Sequence, residues 1–435
     1  MIVLSNIESL YDGASADQSA VHHRVDLYVE GGRIRRLAPH DPALALGSEH
    51  RKVDCSTLTV TPGLIDCHEH VTLFGTQRLH HEIMSSPAAM LYVEKILYTT
   101  LVDGGVTTGR DVGGATHLMK RMVDSGAMLG PRLKIAISML SSTGGHGDFL
   151  GPDRCHATLS PVWPAGPGRP SNLVDGPWEC RKRVREIAGC GADLIKLCTS
   201  AGVASPSGGI EGKAFSAEEV RAICDEAANY GLRVAAHAHT RSGIHLAIEN
   251  GVHDIQHISF LDDELAEMAH ARGCTVTPTS WVLDEVLTSG GLPPASMEKA
   301  RHVADAHRRA VDNARRGGLP ILAGSDPFLP GMHGRNYMEL VHLIKDGLSP
   351  REAWHSATGL AARAIAQEDT GTIAEGKRAD LLFCKGNVID DPRLLDASAL
   401  LEVMKDGEGY RGFLEGIPQR TFATNLHAKL MAPTA

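Results

Sequence analysis

Histidines and carboxylates recur at the ends of short apolar runs in this sequence. The first such run, TPGLIDCHEH at residues 61–70, ends with His68 and His70 on either side of Glu69. Residues two apart on a β-strand point to the same face, so Asp66, His68 and His70 would project together and Glu69 would point away. Two converging neutral imidazoles supply half of a zinc-type metal site. Alone, the pair equally fits two polar residues where a strand leaves the core.

Four later runs place polar residues in equivalent positions. Lys196 lies among apolar residues in LIKLCTS, and a buried lysine is costly unless it is paired or neutralised. It could pair with an acid, or react with CO₂ to give an anionic carbamate with two oxygen ligands. The run AAHAHT supplies His237 and His239, DIQHIS supplies His257, and LAGSDP supplies Asp326. Each has an ordinary explanation as a hydrogen-bonded histidine or a capping aspartate, but their convergence favours a metal centre.

The spacing of the runs predicts the elements that would bring these side chains together. From about residue 60, short apolar runs alternate with helical stretches such as SAEEVRAICDEAANYG, the pattern of βαβ units. Eight runs are present: TPGLIDCHEH, VTTGRDVGG, RLKIAISML, ADLIKLCTS, LRVAAHAHT, HDIQHISF, CTVTPTS and LPILAGSDP. Eight strands alternating with helices predict a (β/α)8 TIM barrel, whose reactive side chains lie at the carboxyl ends of the strands.

The two ends of the chain have a different pattern. The segments RVDLYVEGGRIRRLAP and TLTVTP predict β-hairpins, and TGTIAEGKRADLLFCKGN and LLEVMKDGEGYR return to short strands. We expect an α/β protein in which residues 1–60 and 368–435 form a small β-sandwich domain beside a barrel hydrolase domain of residues 61–367. The length of 435 residues agrees, because single cores rarely exceed roughly 250–300 residues.

Composition narrows the class of partner. The chain has 43 Lys and Arg against 52 Asp and Glu and no basic block, which argues against nucleic-acid or anionic membrane binding. It has no signal-like N-terminus and no apolar run near the roughly 18 residues of a membrane span. Its nine scattered cysteines predict reduced thiols. We expect a cytoplasmic enzyme with a small-molecule substrate, and a homo-oligomer because such symmetric assemblies are common.

The polar runs together resemble the amidohydrolase superfamily over nearly the whole chain. The resemblance is carried by TPGLIDCHEH, ADLIKLCTSAGVASP, RVAAHAHT, DIQHISFLDD, ILAGSDP and GTIAEGKRADLLF. Within it, STGGHGD at residues 142–148 and the HAH of the fifth run resemble the metal-dependent carboxypeptidase or prolidase-like branch. That branch contains Xaa-Arg, Xaa-Lys and Xaa-Pro dipeptidases, ochratoxin-degrading amidases, and arylurea and thiocarbamate hydrolases. The sequence departs from it in HAHT, where HAHG is commoner, and in Gln256, where many relatives carry an acid.

The resemblance implies a centre of two divalent metal ions, zinc or, as alternatives, manganese, cobalt or iron. The implied ligands are His68, His70, Lys196, His237, His257 and Asp326. His68 and His70 would bind the more buried ion, together with Asp326. His237 and His257 would bind the more exposed ion, and Lys196, carboxylated by CO₂, would bridge the two. Asp326 would also handle protons, and His239 would face the substrate. The choice of His237 over His239 rests on the resemblance, because both lie on one strand face.

Such a centre predicts hydrolysis of an amide-type C–N bond. The pKa of a water shared by two metal ions falls from about 15.7 toward about 7, so hydroxide can attack a polarised carbonyl at neutral pH. His239 could donate to the developing oxyanion, and Asp326 could pass a proton to the leaving nitrogen. We expect an N-acyl amino acid, a dipeptide or an ochratoxin-like aromatic amide as substrate. An aryl carbamate, urea or thiocarbamate is the alternative.

Substrate choice should come from the loops after the strands. His146 in STGGHGD is a candidate for substrate contact, with a turn whose histidine caps a helix as the alternative. The loop PFLPGMHGRN offers His333 and Arg335 as a second candidate pair. Lys213 could meet a substrate carboxylate, although a solvated surface lysine explains it equally simply. The segment SPVWPAGPGRPSN could be a lid. No Arg or Tyr stands out as a clamp for a peptide carboxylate.

Two rival functions are left. A mononuclear deaminase of the same superfamily would lack the lysine and carry a glutamate soon after the strand-five histidine, where this chain has Thr240 and Ser242. A non-catalytic scaffold would have lost ligands, whereas all six are present.

Overall fold

The computed structural model describes residues 1–44, 47–73, 75, 80, 82–83, 86, 89–148, 163–205, 209–212, 214–290, 292–396 and 398–421. The strands are β1 (Ile2–Tyr11), β2 (Val21–Glu30), β3 (Arg33–Pro39), β4 (Arg51–Asp54), β5 (Thr59–Pro62), β6 (Leu64–Glu69), β7 (Val106–Asp111), β8 (Arg132–Ile135), β9 (Met139–Leu140), β10 (Leu194–Cys198), β11 (Arg233–Ala238), β12 (Asp254–His257), β13 (Thr275–Thr277), β14 (Leu381–Cys384), β15 (Leu400–Lys405) and β16 (Glu408–Gly409).

Helices alternate with the central strands. They are α1 (Ala89–Val102), α2 (His117–Asp124), α3 (Pro177–Gly189), α4 (Ala217–Asn229), α5 (Arg241–Glu249), α6 (Asp263–Ala271), α7 (Ser280–Ser289), α8 (Pro294–Arg316), α9 (Met338–Lys345), α10 (Pro350–Ser356) and α11 (Gly359–Ala364). The predicted capping box of α4 is present, since Ser216 accepts from the Glu219 backbone and Glu219 bonds back to Ser216. None of the helices in the described ranges is both long and apolar enough to cross a membrane.

The central strands are parallel and follow one another around a barrel. β6 pairs with β7 and β7 with β8, while β9, β10, β11, β12 and β13 pair in chain order. The third predicted strand is divided into β8 and β9 by Ile137, which has a φ of 67°. The two sheets meet there, because the backbone N–H of Asp193 donates to Ile135 over 2.8 Å.

The eighth predicted strand, LPILAGSDP, was wrong as a regular strand. Its Ile321 forms a β-bridge with Val276, and its Ala323 accepts a 2.9 Å hydrogen bond from the Cys67 backbone, so the segment does lie between β13 and β6. Pro320 cannot donate to a ladder, and the Ser325 backbone N–H is taken by the Asp66 carboxylate at 3.0 Å. The α/β barrel architecture is therefore confirmed, with one irregular wall segment.

Strands from both chain ends form a second sheet. Its order is β16, β15, β14, β5, β1, β2, β3, with β4 also paired to β1. The Ile34 backbone donates to Lys377 and the Ala379 backbone to Gly32, each over 2.9 Å, so the sheet curls back on itself. It encloses its own apolar cluster, which includes Leu27. The small β-unit is thus one curled sheet, and the boundaries at residues 60 and 368 stay a prediction.

A buried ion pair network joins this sheet to the barrel. Arg132 of β8 donates to Asp380 and to Asp406, all at 3.0 Å, and the Asp380 side chain is only 2% exposed. A charge buried to this extent depends on its partner, because water cannot solvate it.

Arg132→Ala should lower the free energy of unfolding by about 3 kcal/mol or more, because it leaves the Asp380 carboxylate buried without its cation. Urea denaturation would measure the loss. Arg393→Ala is the control, since its pair with Asp391 involves an arginine side chain that is 72% exposed and should leave the free energy of unfolding nearly unchanged. Equal losses in both variants would contradict the assigned role of Arg132.

Candidate metal centre

Six of the seven residues proposed as ligands or as the substrate-facing histidine fall into two clusters at the carboxyl ends of the barrel strands. One cluster is His68, His70 and Asp326, and the other is His237, His239 and His257. Within each cluster the potential ligand atoms lie within 4.8 Å of one another. The rings of His68 and His257 are 5.0 Å apart and connect the two clusters. The seventh residue, Lys196, lies below this level, since Cys198, two residues later on β10, pairs with His237, and it has no solvent exposure.

The first cluster is built by β6 and the irregular eighth segment. The Nε2 atoms of His68 and His70 both lie 3.5 Å from Oδ1 of Asp326. His70 fixes its ring through Nδ1, which lies 3.1 Å from the Gly113 carbonyl oxygen, so Nε2 faces the cluster. The Asp326 backbone donates to the His68 carbonyl over 2.8 Å, and Asp326 has a φ of 45°. This left-handed turn aims the carboxylate back toward the histidines.

The second cluster is built by β11 and β12. His237 places Nε2 3.3 Å from the Ala201 carbonyl oxygen, and His257 places Nδ1 2.7 Å from Oγ1 of Thr279. His239 places Nδ1 2.8 Å from Oγ of Ser259. Each ring thus uses one nitrogen on the protein and keeps the other for the cavity, which is the usual support for a metal-binding histidine. The same is true of His239, so the geometry admits either strand-five histidine as a ligand.

A chain of polar side chains fixes Lys196 from below. Its Nζ donates to Oε1 of Gln256, and Nε2 of Gln256 donates to Asp254 over 3.0 Å. Asp254 in turn pairs with the Arg110 guanidinium. Gln256 therefore links Lys196 to Asp254, and the acid that neutralises Arg110 lies two residues earlier than Gln256 on β12.

Burial sets the protonation of the site. It holds the pKa of His68, His237, His239 and His257 well below the usual value, and that of His70 at about 3, so these rings are neutral. Burial lowers the pKa of Lys196 to about 8 and raises that of Asp326 to about 7. Neutral imidazole is the form that binds a metal ion.

The glutamate between the first two histidines lies outside both clusters. Glu69 is fully buried, and its Oε1 accepts a 3.4 Å hydrogen bond from Asn336. Burial and the neighbouring Asp66 raise its pKa well above the usual value. The expectation that Glu69 points away from the metal site agrees with this placement.

The predicted substrate-contacting residues divide between the cavity and its surroundings. His146 lines the cavity and stacks on His237 with ring centroids 4.0 Å apart. His333 does not line it among the described residues, and its Nε2 instead lies 3.1 Å from the His70 carbonyl oxygen. Arg335 lies over the ring of Trp281 at 5.5 Å. Lys213 lies outside the described residues.

The described part of the suggested lid, residues 163–172, contributes Trp163. Its ring lies 5.2 Å from that of His70, and its Nε1 donates to Thr72 over 3.0 Å. Residues 160–162 of the segment lie outside the described ranges. The lid itself stays a prediction, while Trp163 is part of the cavity wall.

Sequence reasoning missed a hydrogen-bonded chain behind His239. Oγ of Ser259 lies 3.3 Å from Nδ1 of His307, and Nε2 of His307 lies 3.1 Å from Oγ of Ser280. His307 lies in the middle of α8, where its only signal was a histidine at an apolar position of an amphipathic helix. That signal does not reveal a partner, because Ser259 comes from another element.

The cavity above the clusters has a volume of about 560 Å³. This size suits a small molecule. All members of both clusters, together with Lys196, line it. The site therefore combines a set of neutral nitrogens and one carboxylate with room for a substrate.

Comparison with known proteins agrees with this site. A profile of the amidohydrolase family matches residues 59–417, which span the barrel and much of the curled sheet. The ochratoxinase of Aspergillus niger is 30% identical over 371 residues, covering 81% of this chain and 75% of that protein. The resemblance to the prolidase-like branch is thereby confirmed.

Solved structures agree in fold and sequence. The crystal structure of an amidohydrolase superposes with a TM-score of 0.83 at 32% identity, covering 94% of this chain and 98% of that one. A prolidase complexed with N-methylphosphonate-L-proline superposes with a TM-score of 0.81 at 30% identity, covering 94% and 99%. With family, fold and site in agreement, the chain belongs to the amidohydrolase family and is a hydrolase that acts on C–N bonds.

Proposed function

We propose that this chain is a binuclear metal-dependent hydrolase that cleaves an amide-type C–N bond. The observation that carries the proposal is the pair of three-residue clusters that share the barrel mouth with the buried Lys196. The proposed ligands are His68 and His70 for the more buried ion, His237 and His257 for the more exposed one, Asp326 for the buried ion, and carboxylated Lys196 as the bridge.

The donor set fits two divalent ions of the zinc type. Burial keeps the histidines neutral, and neutral imidazoles together with a carboxylate suit zinc, with manganese, cobalt and iron as alternatives. Nδ1 of His68 is buried without a hydrogen-bond partner among the described residues, and Nε2 lies 3.5 Å from Oδ1 of Asp326. The hydrogen bonds of the described residues therefore do not fix this ring. A cation at Nε2 would supply the missing restraint.

The surroundings of Lys196 support its carboxylation. An uncharged amine attacks CO₂, forming an N–C bond and releasing one proton, and burial lowers the lysine pKa to about 8, so a larger fraction is uncharged near neutral pH than for an exposed lysine. The carbamate keeps one N–H, and Oε1 of Gln256 is in place to accept it. Its two oxygens would face the clusters.

The mechanism assigns a task to each remaining residue. Two bound divalent ions would supply an activated water and polarise the substrate carbonyl. His239, fixed by Ser259, presents its free nitrogen to the cavity and can donate to the carbonyl oxygen as negative charge develops there. Burial raises the pKa of Asp326 to about 7, so its carboxylate can accept a proton near neutral pH and pass it to the leaving nitrogen. The products are a carboxylic or carbamic acid and an amine.

Candidate substrates are an N-acyl amino acid, a dipeptide or an ochratoxin-like aromatic amide, with aryl carbamates, ureas and thiocarbamates as the alternative. A deaminase is disfavoured because Thr240, near the position of the expected glutamate, caps α5 by accepting from the Gly243 backbone at 3.1 Å. We also propose a cytoplasmic homo-oligomer, on the cysteine pattern and the prevalence of symmetric enzymes.

Lys196→Ala should lower kcat by at least about 100-fold, because loss of even an outer partner of a metal ligand costs roughly 10–100-fold. Short-chain carboxylic acids should restore part of the activity by filling the gap between the ions. Lys182→Ala, which changes a lysine whose side chain is 73% exposed, is the control. Wild-type turnover in Lys196→Ala would refute the binuclear proposal.

His239→Ala and His237→Ala should differ in metal content. We expect His239→Ala to lower kcat by about 100-fold, the loss typical of an oxyanion donor, with metal content near that of the wild type. His237→Ala should lose about one ion per chain. Elemental analysis of both proteins would measure this, and the reverse result would mean that the two assignments must be exchanged.

Chelation should separate an enzyme from a scaffold. Metal-stripped protein should lose C–N hydrolysis and regain it with zinc or manganese and bicarbonate. If metal binds the folded state and not the unfolded state, it should also raise the free energy of unfolding by about 2.7 kcal/mol at a free metal concentration of 100 Kd. Thermal unfolding with and without metal would measure this, and no change in either readout would favour the scaffold.

A further inference from the structure

The cavity has two walls of different chemistry. The histidine clusters and Asp326 form one wall. Another wall comes from α7 and the turn that leads to α8, where Val282, Leu283, Val286 and Leu292 line the space. Residues 282, 283 and 286 fall on one helical face because a helix repeats about every 3.6 residues. This face, which we call the α7 wall, turns toward the site.

The α7 wall is apolar and is packed against an apolar cluster. Val282 and Val286 pack with Trp281, Met297 and Leu329 in a separate apolar cluster behind the wall. Half-buried side chains complete its surface on the cavity side, and they are Val203, Leu283, Leu292 and Phe328. Apolar surface left partly exposed in an enclosed cavity gains free energy when an apolar ligand group covers it.

Cations near the α7 wall are engaged elsewhere. Among the described residues that line the cavity, Lys196 is the sole lysine or arginine, and it lies below the clusters. Nζ of Lys299 donates to the Ser205 carbonyl over 2.8 Å. Arg335 lies over Trp281 and pairs with Glu285 at 3.9 Å. A substrate carboxylate placed against this wall would lose its water without gaining a cation from the described part of the chain.

We propose that the α7 wall binds an uncharged, bulky apolar group of the substrate. The substrate class is then a neutral amide, carbamate or urea that carries an aryl or branched alkyl group, rather than a dipeptide or N-acyl amino acid with a free carboxylate at that end. The proposal rests on the proposed function only in placing the scissile carbonyl at the histidine clusters.

Three acetanilides with one scissile bond and nearly one shape test this proposal. They carry a para-isopropyl, a para-acetyl or a para-carboxylate group. We expect kcat/KM of the metal-loaded protein to fall in that order, with the carboxylate about 100-fold below the isopropyl compound. The ionised carboxylate withdraws electrons from the ring only weakly, so its leaving group is close to that of the isopropyl compound, and the difference between these two reports charge. The neutral para-acetyl group withdraws electrons more strongly, so slower cleavage than that of the isopropyl compound reports polarity rather than the leaving group.

A charge added to the wall should reverse the preference. Leu283→Arg, at a half-buried position, should raise kcat/KM for the carboxylate compound at least tenfold and lower it for the isopropyl compound. Thr288→Arg adds the same charge to an exposed position of the same helix and should change neither value more than about twofold. The wild-type series stands without these variants if Leu283→Arg does not fold.

Calorimetric binding of the three compounds distinguishes the two proposals. Equal or better cleavage of the carboxylate compound would overturn the apolar substrate class and leave the hydrolase proposal intact. Tight binding of the isopropyl compound without cleavage, with the carboxylate at least tenfold weaker, would support the wall and overturn the hydrolase proposal. If the isopropyl compound neither binds nor is cleaved, the apolar wall is overturned.

Discussion

Lys196 lies in the centre of β10 with no solvent exposure, and an unpaired ammonium group in that place would cost several kcal/mol. A chain of polar groups pairs with this ammonium group and crosses the barrel interior from Arg110 through Asp254 and Gln256 to the lysine. Because the glutamine is neutral, it orients Nζ without holding the proton there as a carboxylate would. The same chain neutralises Arg110 with Asp254. The lysine is therefore positioned and left able to lose its charge.

Above the polar chain that holds Lys196, the residues at the strand ends form the two clusters. His257, Thr279 and Asp326 all have positive φ, at 70°, 56° and 45°. Such conformations cost of order 1–3 kcal/mol for residues other than glycine and persist where surrounding structure determines them. Each turns the chain sharply at the barrel mouth, so that His257 and Asp326 face the centre while Thr279 supports the His257 ring. The backbone strain is therefore located at residues that form or support the two clusters.

Most of the site is predictable from the sequence because it depends on the types of its residues and on the regular spacing of residues along strands and helices. A period of two places His68 and His70 on one face, and the α/β alternation brings Lys196 and Asp326 to the same end of the barrel. Other features depend on contacts between distant segments. Pro320 and the Asp66 carboxylate turn the eighth run into an irregular segment, and the bend at Ile137 divides the third strand. No local pattern announces either.

Through the hydrogen-bonded chain behind His239, a helix far along the sequence contacts the second histidine cluster. Ser259 and Ser280 each carry one hydroxyl hydrogen, and a neutral His307 carries one ring hydrogen. If His239 presents a donor to the cavity, its Nδ1 must accept from Ser259, which then accepts from His307, whose Nε2 accepts from Ser280. Reversing the link at Ser280 reverses the other two. Since Ser280 begins α7 and His307 belongs to α8, the helices that form the apolar wall also fix the protonation of the nitrogen opposite it.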